Sequence, residues 1–71
     1  MKNELITKNE VMTETVIFEN ADFLLEAFFH ERIEKFTIWF NGENIASFKS
    51  FNPFATKLAE VVERHNLIKI N

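Results

Sequence analysis

Residues 21–33 read ADFLLEAFFHERI, and the conformation of this stretch decides the fold. Ala21, Leu24, Leu25, Phe28 and Arg32 recur at helical spacing. The Ala, Leu, Glu and Arg content favours a helix, and Asn20 is a suitable cap. Yet Phe28-Phe29 is also strand-like, and His30-Glu31-Arg32 reads as a turn between two strands. The helix, over 21–31, is the expectation taken forward, with the extended alternative kept open.

Downstream, Phe36, Ile38 and Phe40 alternate with Thr37, Trp39 and Asn41, the period of a strand. Asn41-Gly42 follows, a strong hairpin signal that holds the single glycine of the chain. The return strand is Ile45 to Ser50. A two-residue loop sets Ile38 opposite Ile45, whereas a three-residue loop sets Phe48 with Phe36 and Ile45 opposite Trp39. The second gathers apolar residues better, so a bulged turn is expected. Asn52-Pro53 then reads as the cap and first residue of a helix over 53–65. Phe54, Leu58, Val61, Val62 and His65 form its apolar face, opposite Lys57, Glu60, Glu63 and Arg64. Asn66 suits a left-handed cap, with Leu67 folded back on the last turn.

At the two ends, Thr13 to Glu19 reads as a strand. Leu5-Ile6-Thr7 is expected to pair with it through a turn at Lys8-Asn9-Glu10. Leu67 to Ile70 reads as a short closing strand. The expected class is α+β: a small antiparallel sheet of three to five strands, helix 53–65 on one face and a second helix at 21–31. That element order matches the split β-α-β pattern of ferredoxin-like folds. With 21–33 extended, it becomes a four-strand meander closed by one helix.

The 71 residues imply one small domain, spanning 1–71, that must be stabilised by packing, since cysteine is absent. Nine phenylalanines supply the material. A dense aromatic core is the expected use of them. The same load is large for so short a chain, so a homodimer that hides the surplus is a second expectation. No stretch approaches the roughly 20 apolar residues of a membrane span. The first ten residues lack the apolar core of an export signal. A cytoplasmic location follows as the expectation.

Little points to catalysis. His30 and His65 have no partners at metal-ligand spacing, and no cofactor or metal is expected. Ser47 and Ser50 sit on a strand without the glycines of a nucleophile turn. Glu31 with Glu34, and Glu60 with Glu63, have the spacing of a solvated helix face. The single Gly42 excludes a phosphate loop. The expectation is a non-enzymatic protein.

Charge suggests what such a protein meets. Residues 1–34 hold eight acids and three bases, a balance of −5, while residues 35–71 hold three acids and five bases, +2. The expected contact surface comprises Glu14, Glu19, Asp22, Glu26, Glu31, Glu34 and Trp39, meeting a protein partner with a basic surface. Nucleic acid is not expected to bind directly, for want of a basic face. A nucleic-acid-binding regulator using Trp39, Lys35 and Lys49 is the alternative. A homo-oligomeric assembly protein is another. In size, acidity and lack of catalytic features the chain is similar, as a class only, to small phage and mobile-element inhibitors such as anti-CRISPR proteins. That analogy implies blocking of a host protein's nucleic-acid groove.

Overall fold

The computed structural model describes residues 5–71. Its elements are helix α1 (Lys8–Thr13), strands β1 (Val16–Glu19), β2 (Leu24–His30), β3 (Lys35–Phe40) and β4 (Glu43–Phe48), helix α2 (Phe51–His65) and strand β5 (Ile68–Lys69). The class is α+β. The five strands form one antiparallel sheet in the order β4-β3-β2-β1-β5. The first four strands make a meander. Helix α2 then carries the chain from the β4 edge across the sheet, so that β5 closes on β1.

The region 21–31 is therefore a turn and a strand, not a helix, and the ferredoxin-like order is not formed. The physical reason lies in pairing. As β2, this segment is hydrogen-bonded to β1 on one side and to β3 on the other. It buries Leu25 and Ala27 completely on one face. Helix preference amounts to a few tenths of a kcal/mol per residue, and two ladders with a buried face outweigh it. Asn20 caps a turn instead. Its Oδ1 accepts from the backbone N–H groups of Asp22 and Phe23, both at 2.8 Å.

The N-terminal hairpin is also replaced. Lys8–Thr13 is helical, and Thr7 is its N-cap, with Oγ1 accepting from the Glu10 N–H at 3.0 Å. Thr7-x-x-Glu10 is the spacing of a capping box, a signal present in the sequence but read as strand and turn. The C-terminal helix starts two residues earlier than expected. Ser50 takes the N-cap position, and Pro53 falls within the first turn, where its missing N–H still costs nothing.

Other expectations hold. Asn66 is left-handed (φ 54°, ψ 49°), and the Leu67 N–H returns to the Val62 carbonyl at 3.0 Å, closing α2 with Leu67 buried. At the β3–β4 turn, Asn41 (φ 52°) and Gly42 (φ 82°) both have positive φ, the pattern of a tight I′ hairpin. A Cβ on Gly42 would meet nothing within 4 Å, so the backbone conformation, not space, asks for glycine. The turn has two residues, and the bulge lies further along, where Asn44 and Ile45 together oppose Trp39. This shift brings Phe48 opposite Phe36, the pairing expected of a bulged hairpin.

The core lies between α2 and one face of the sheet. Phe18, Leu25, Ile38, Phe54 and Leu58 are fully buried there, with Val11 of α1 in the same cluster. Phe36 joins the layers, its ring centroid 5.2 Å from that of Phe54 and 5.7 Å from that of Phe51. His65 sits between Phe23 and Phe40, at 4.8 and 4.9 Å. None of the nine phenylalanines is exposed; the apolar surface left over is mainly isoleucine.

Helix α1 is tied to β5 by Lys69 Nζ, 2.6 Å from Glu10 Oε2. This hydrogen bond holds the Glu10 carboxyl below its usual range. A carboxylate held low stabilises the fold above the unfolded-state value, and that contribution is lost as pH falls through the folded-state value. Both groups are partly exposed, so the contribution is about 0.2–1 kcal/mol. Glu10→Gln is expected to lower stability by that amount at neutral pH. In strong acid, urea denaturation of the two proteins should coincide.

A candidate protein-interaction surface

Alternation along the strands sorts the sheet into two faces. Val16, Phe18, Leu25, Ala27, Phe36 and Ile38 point to the helices and are buried. Their neighbours point the other way, where no helix lies among the described residues. On this open face the register sets Ile17 beside Glu26, Glu26 beside Trp39, and Trp39 beside Asn44 and Ile45. One step along the strands, Phe28 lies beside Thr37 and Thr37 beside Ser47. At the far end His30 lies beside Lys35. Glu19, flanked by Leu24 and Ile68, marks the near end.

The open face is apolar for a surface. Ile68 is 69% exposed, Ile70 53%, Ile45 41% and Leu24 38%. Ile17, Phe28 and Trp39 are half-buried. Thr37 decides how tightly this surface is packed. It stands on the uncovered face yet is only 1% exposed, shielded by its larger neighbours. Its hydroxyl donates to the Phe28 carbonyl at 3.2 Å, so no polar group is stranded.

Two asparagines extend the ladders beyond the paired strand residues. The Asn41 N–H donates to the Leu24 carbonyl at 2.7 Å, and Asn41 Oδ1 accepts from the Leu24 N–H at 2.8 Å. Asn71 continues the β5–β1 ladder through its side chain, with Oδ1 accepting from the Ile17 N–H at 2.9 Å and Nδ2 donating to the Thr15 carbonyl at 3.2 Å.

The acidic residues singled out in the sequence do not share one face. Glu19 and Glu26 stand on the open face, with Asp22 in the adjoining β1–β2 turn. Glu43, not among the expected contacts, lies at the same end. Glu31 and Glu34 are at the opposite end, in the β2–β3 turn, where Glu34 has a positive φ of 54°. Glu14 follows α1. A strand separates its ends by about 3.3 Å per residue, more than twice the helical rise, so Glu26 and Glu31 cannot be neighbours. Of the bases, Lys35 is on the open face, two strand steps from Trp39. Lys49 follows β4 and lines a groove with Lys8, Met12, Phe29, Glu34 and Phe36. That groove, about 520 Å³, is bounded by residues of both charges and opens on the helix side.

Trp39 was legible in the sequence as an aromatic on the polar side of its strand. The isoleucines of the open face were not, because Ile45 depends on the bulge and Ile68 on the pairing of β5 with β1. Among the described residues, no group of three His, Asp or Glu side chains is placed to hold a metal ion, and no helix is long and apolar enough to cross a membrane. No known protein family, curated protein sequence or solved structure matches the chain.

Proposed function

We propose that this chain is a non-enzymatic protein-binding module whose working surface is the open face of its sheet, centred on Trp39. One observation carries the reading. Apolar side chains are left uncovered on one face, while the opposite face is packed against both helices. Uncovered apolar side chains gathered on one face, here on either side of Glu26, mark an interaction site more often than scattered ones do. A tryptophan at its centre is the residue type that most often anchors such contacts. The partner brings positive charge to the end marked by Glu19, Asp22, Glu26 and Glu43. A narrower form of the same reading is an inhibitor whose acidic end enters the basic groove of a nucleic-acid-binding host protein.

Direct binding of nucleic acid is the weaker reading. A base stacked on Trp39 would bring its phosphates toward Glu26, the residue directly opposite. Phosphate contacts need Lys or Arg there.

Affinity capture from the native host, with mass spectrometry, tests the proposal. Wild type, Trp39→Ser and the helix-surface variant Lys57→Glu are compared. A protein retained by wild type and Lys57→Glu, lost by a folded Trp39→Ser and released by salt is the expected result. Equal capture by Trp39→Ser overturns the surface assignment.

A further inference from the structure

We propose that the open face receives an amphipathic helix of a partner protein, laid across the strands, whose apolar stripe is interrupted at its middle by one arginine or lysine set against Glu26. The proposal rests on the reading of this face as the working surface, and it states the chemistry of the partner.

The argument begins with one row of side chains. Antiparallel register lines up Ile17, Glu26 and Trp39 on β1, β2 and β3, with Ile45 of the bulge beyond Trp39. Ile70 extends the row at its other end. Its N–H donates to the Ile17 carbonyl at 2.8 Å, and it stands two residues after Ile68 on the same face. The row therefore reads apolar, apolar, acid, apolar, apolar. Glu26 is its centre, half-buried between Ile17 and Trp39. No cation of the fold is spent on it. The three ion pairs among the described residues join Glu60 to Lys57 and Arg64, and Glu10 to Lys69. Lys35, on the same face, pairs with His30, four residues along β2 and about 13 Å from Glu26.

A wholly apolar surface laid on this row covers the Glu26 carboxylate without a counter-charge, and an acidic one repels it. A basic residue between apolar ones satisfies every member of the row. Arginine suits the position best. Its guanidinium offers paired donors to the carboxylate, and its face can stack on the indole of Trp39 alongside.

Spacing selects a helix. Adjacent strands are about 4.8 Å apart, so the row is about 19 Å long. Helix residues at i, i+3, i+7 and i+10, rising about 1.5 Å each, stay within about 1 Å of successive strands. Side chains on one face of an extended segment recur about every 6.6 Å and lose the register by the third strand. The fold contains its own example of such a crossing. Helix α2 runs from the β4 edge to β5 over the opposite face, and its stripe Phe54, Leu58, Val61 and Val62 is buried there.

A displayed library of amphipathic helices about 15 residues long, varied only along one stripe, is selected against the full chain. On wild type the recovered helices are expected to carry arginine or lysine at the central stripe position, with apolar residues on either side. On Glu26→Lys the central position is expected to switch to Asp or Glu. A synthetic peptide taken from the wild-type selection should bind Glu26→Gln and a folded Trp39→Ser about tenfold more weakly or worse. It should bind Lys57→Glu as tightly as wild type. Glu26→Gln keeps the shape of the side chain and carries the test if Glu26→Lys does not fold. Binders without a central cation, a cation retained by the binders of the Glu26 variants, or no binder at all overturn the proposal. So does a peptide that still binds with proline at a solvent-facing position of its middle turn, which a helix does not tolerate. Light scattering reads the competing occupant, a second copy of the chain: a dimer that excludes the peptide overturns the proposal as well. Each of these outcomes leaves the surface reading to the capture experiment, which asks only whether Trp39 is needed to retain a protein.

Discussion

Phe54→Ala is expected to remove about 3–5 kcal/mol of folding stability. Phe54 is fully buried on the inner side of α2, its ring against Phe36 at 5.2 Å and Phe51 at 5.8 Å. Truncation forfeits the transfer of the ring out of water and opens a cavity between helix and sheet. Phe36 anchors that junction, so neighbouring rings cannot collapse inward without breaking the pairing of Phe36 with Phe29 and Phe48. A chain of this length has about 4–10 kcal/mol in total. The variant should therefore be mostly unfolded in mild urea. Lys57→Ala, on the outer side of the same helix, removes only an exposed ion pair to Glu60 at 3.7 Å and should cost less than about 0.5 kcal/mol. Similar urea midpoints for the two would mean that the helix face is wrongly assigned.

Asn20→Ala is expected to cost about 2–3 kcal/mol, a large effect for one partly buried polar residue. Three hydrogen bonds meet on this side chain. Its Oδ1 holds the N–H groups of Asp22 and Phe23, and its Nδ2 donates to the His65 carbonyl at 2.7 Å. The last of these satisfies a carbonyl at the end of α2 that has no partner within the helix. It also joins the β1–β2 turn to the helix that crosses the sheet. Asn20→Asp separates the two roles. It keeps the turn bonds, loses the donor to His65 and sets negative charge at the negative end of the helix dipole. It should be less stable than wild type at neutral pH and recover part of the loss in acid, where the carboxyl is protonated. Alanine should show no such recovery. Equal stability of Asp and wild type at neutral pH would mean that the link to His65 contributes nothing.

Asn20 shows how a residue can be read correctly in kind and wrongly in place. An amide that caps a helix and one that closes a turn offer the same acceptor to the same backbone donors. Only the neighbours of the next segment distinguish them. Trp39 was placed on the correct side of its strand because alternation is a local property. The acidic surface was not legible, because grouping Asp22, Glu26, Glu31 and Glu34 required the helix at 21–31. As a strand, the same residues span the sheet from one end to the other.

What the sequence by itself determined is what local physics can decide. The apolar stripe Phe54, Leu58, Val61 and Val62 turns toward the sheet because helical spacing permits one buried face. The end of α2 follows from Asn66, whose short amide tolerates a left-handed backbone. The β3–β4 hairpin follows from Asn41-Gly42, where two successive positive φ values match the twist of the strands. Tertiary structure decided the rest. Residues 24–30 are a strand because β1 and β3 offer ladders on both sides, a gain that no window of the sequence contains. The bulge at Asn44-Ile45 arises because the tight turn and the Phe36–Phe48 pairing both have to be met, and one extra residue reconciles them. The open face exists because α2 crosses only one side of the sheet on its way to β5, so the path of the chain in space sets which apolar residues remain uncovered.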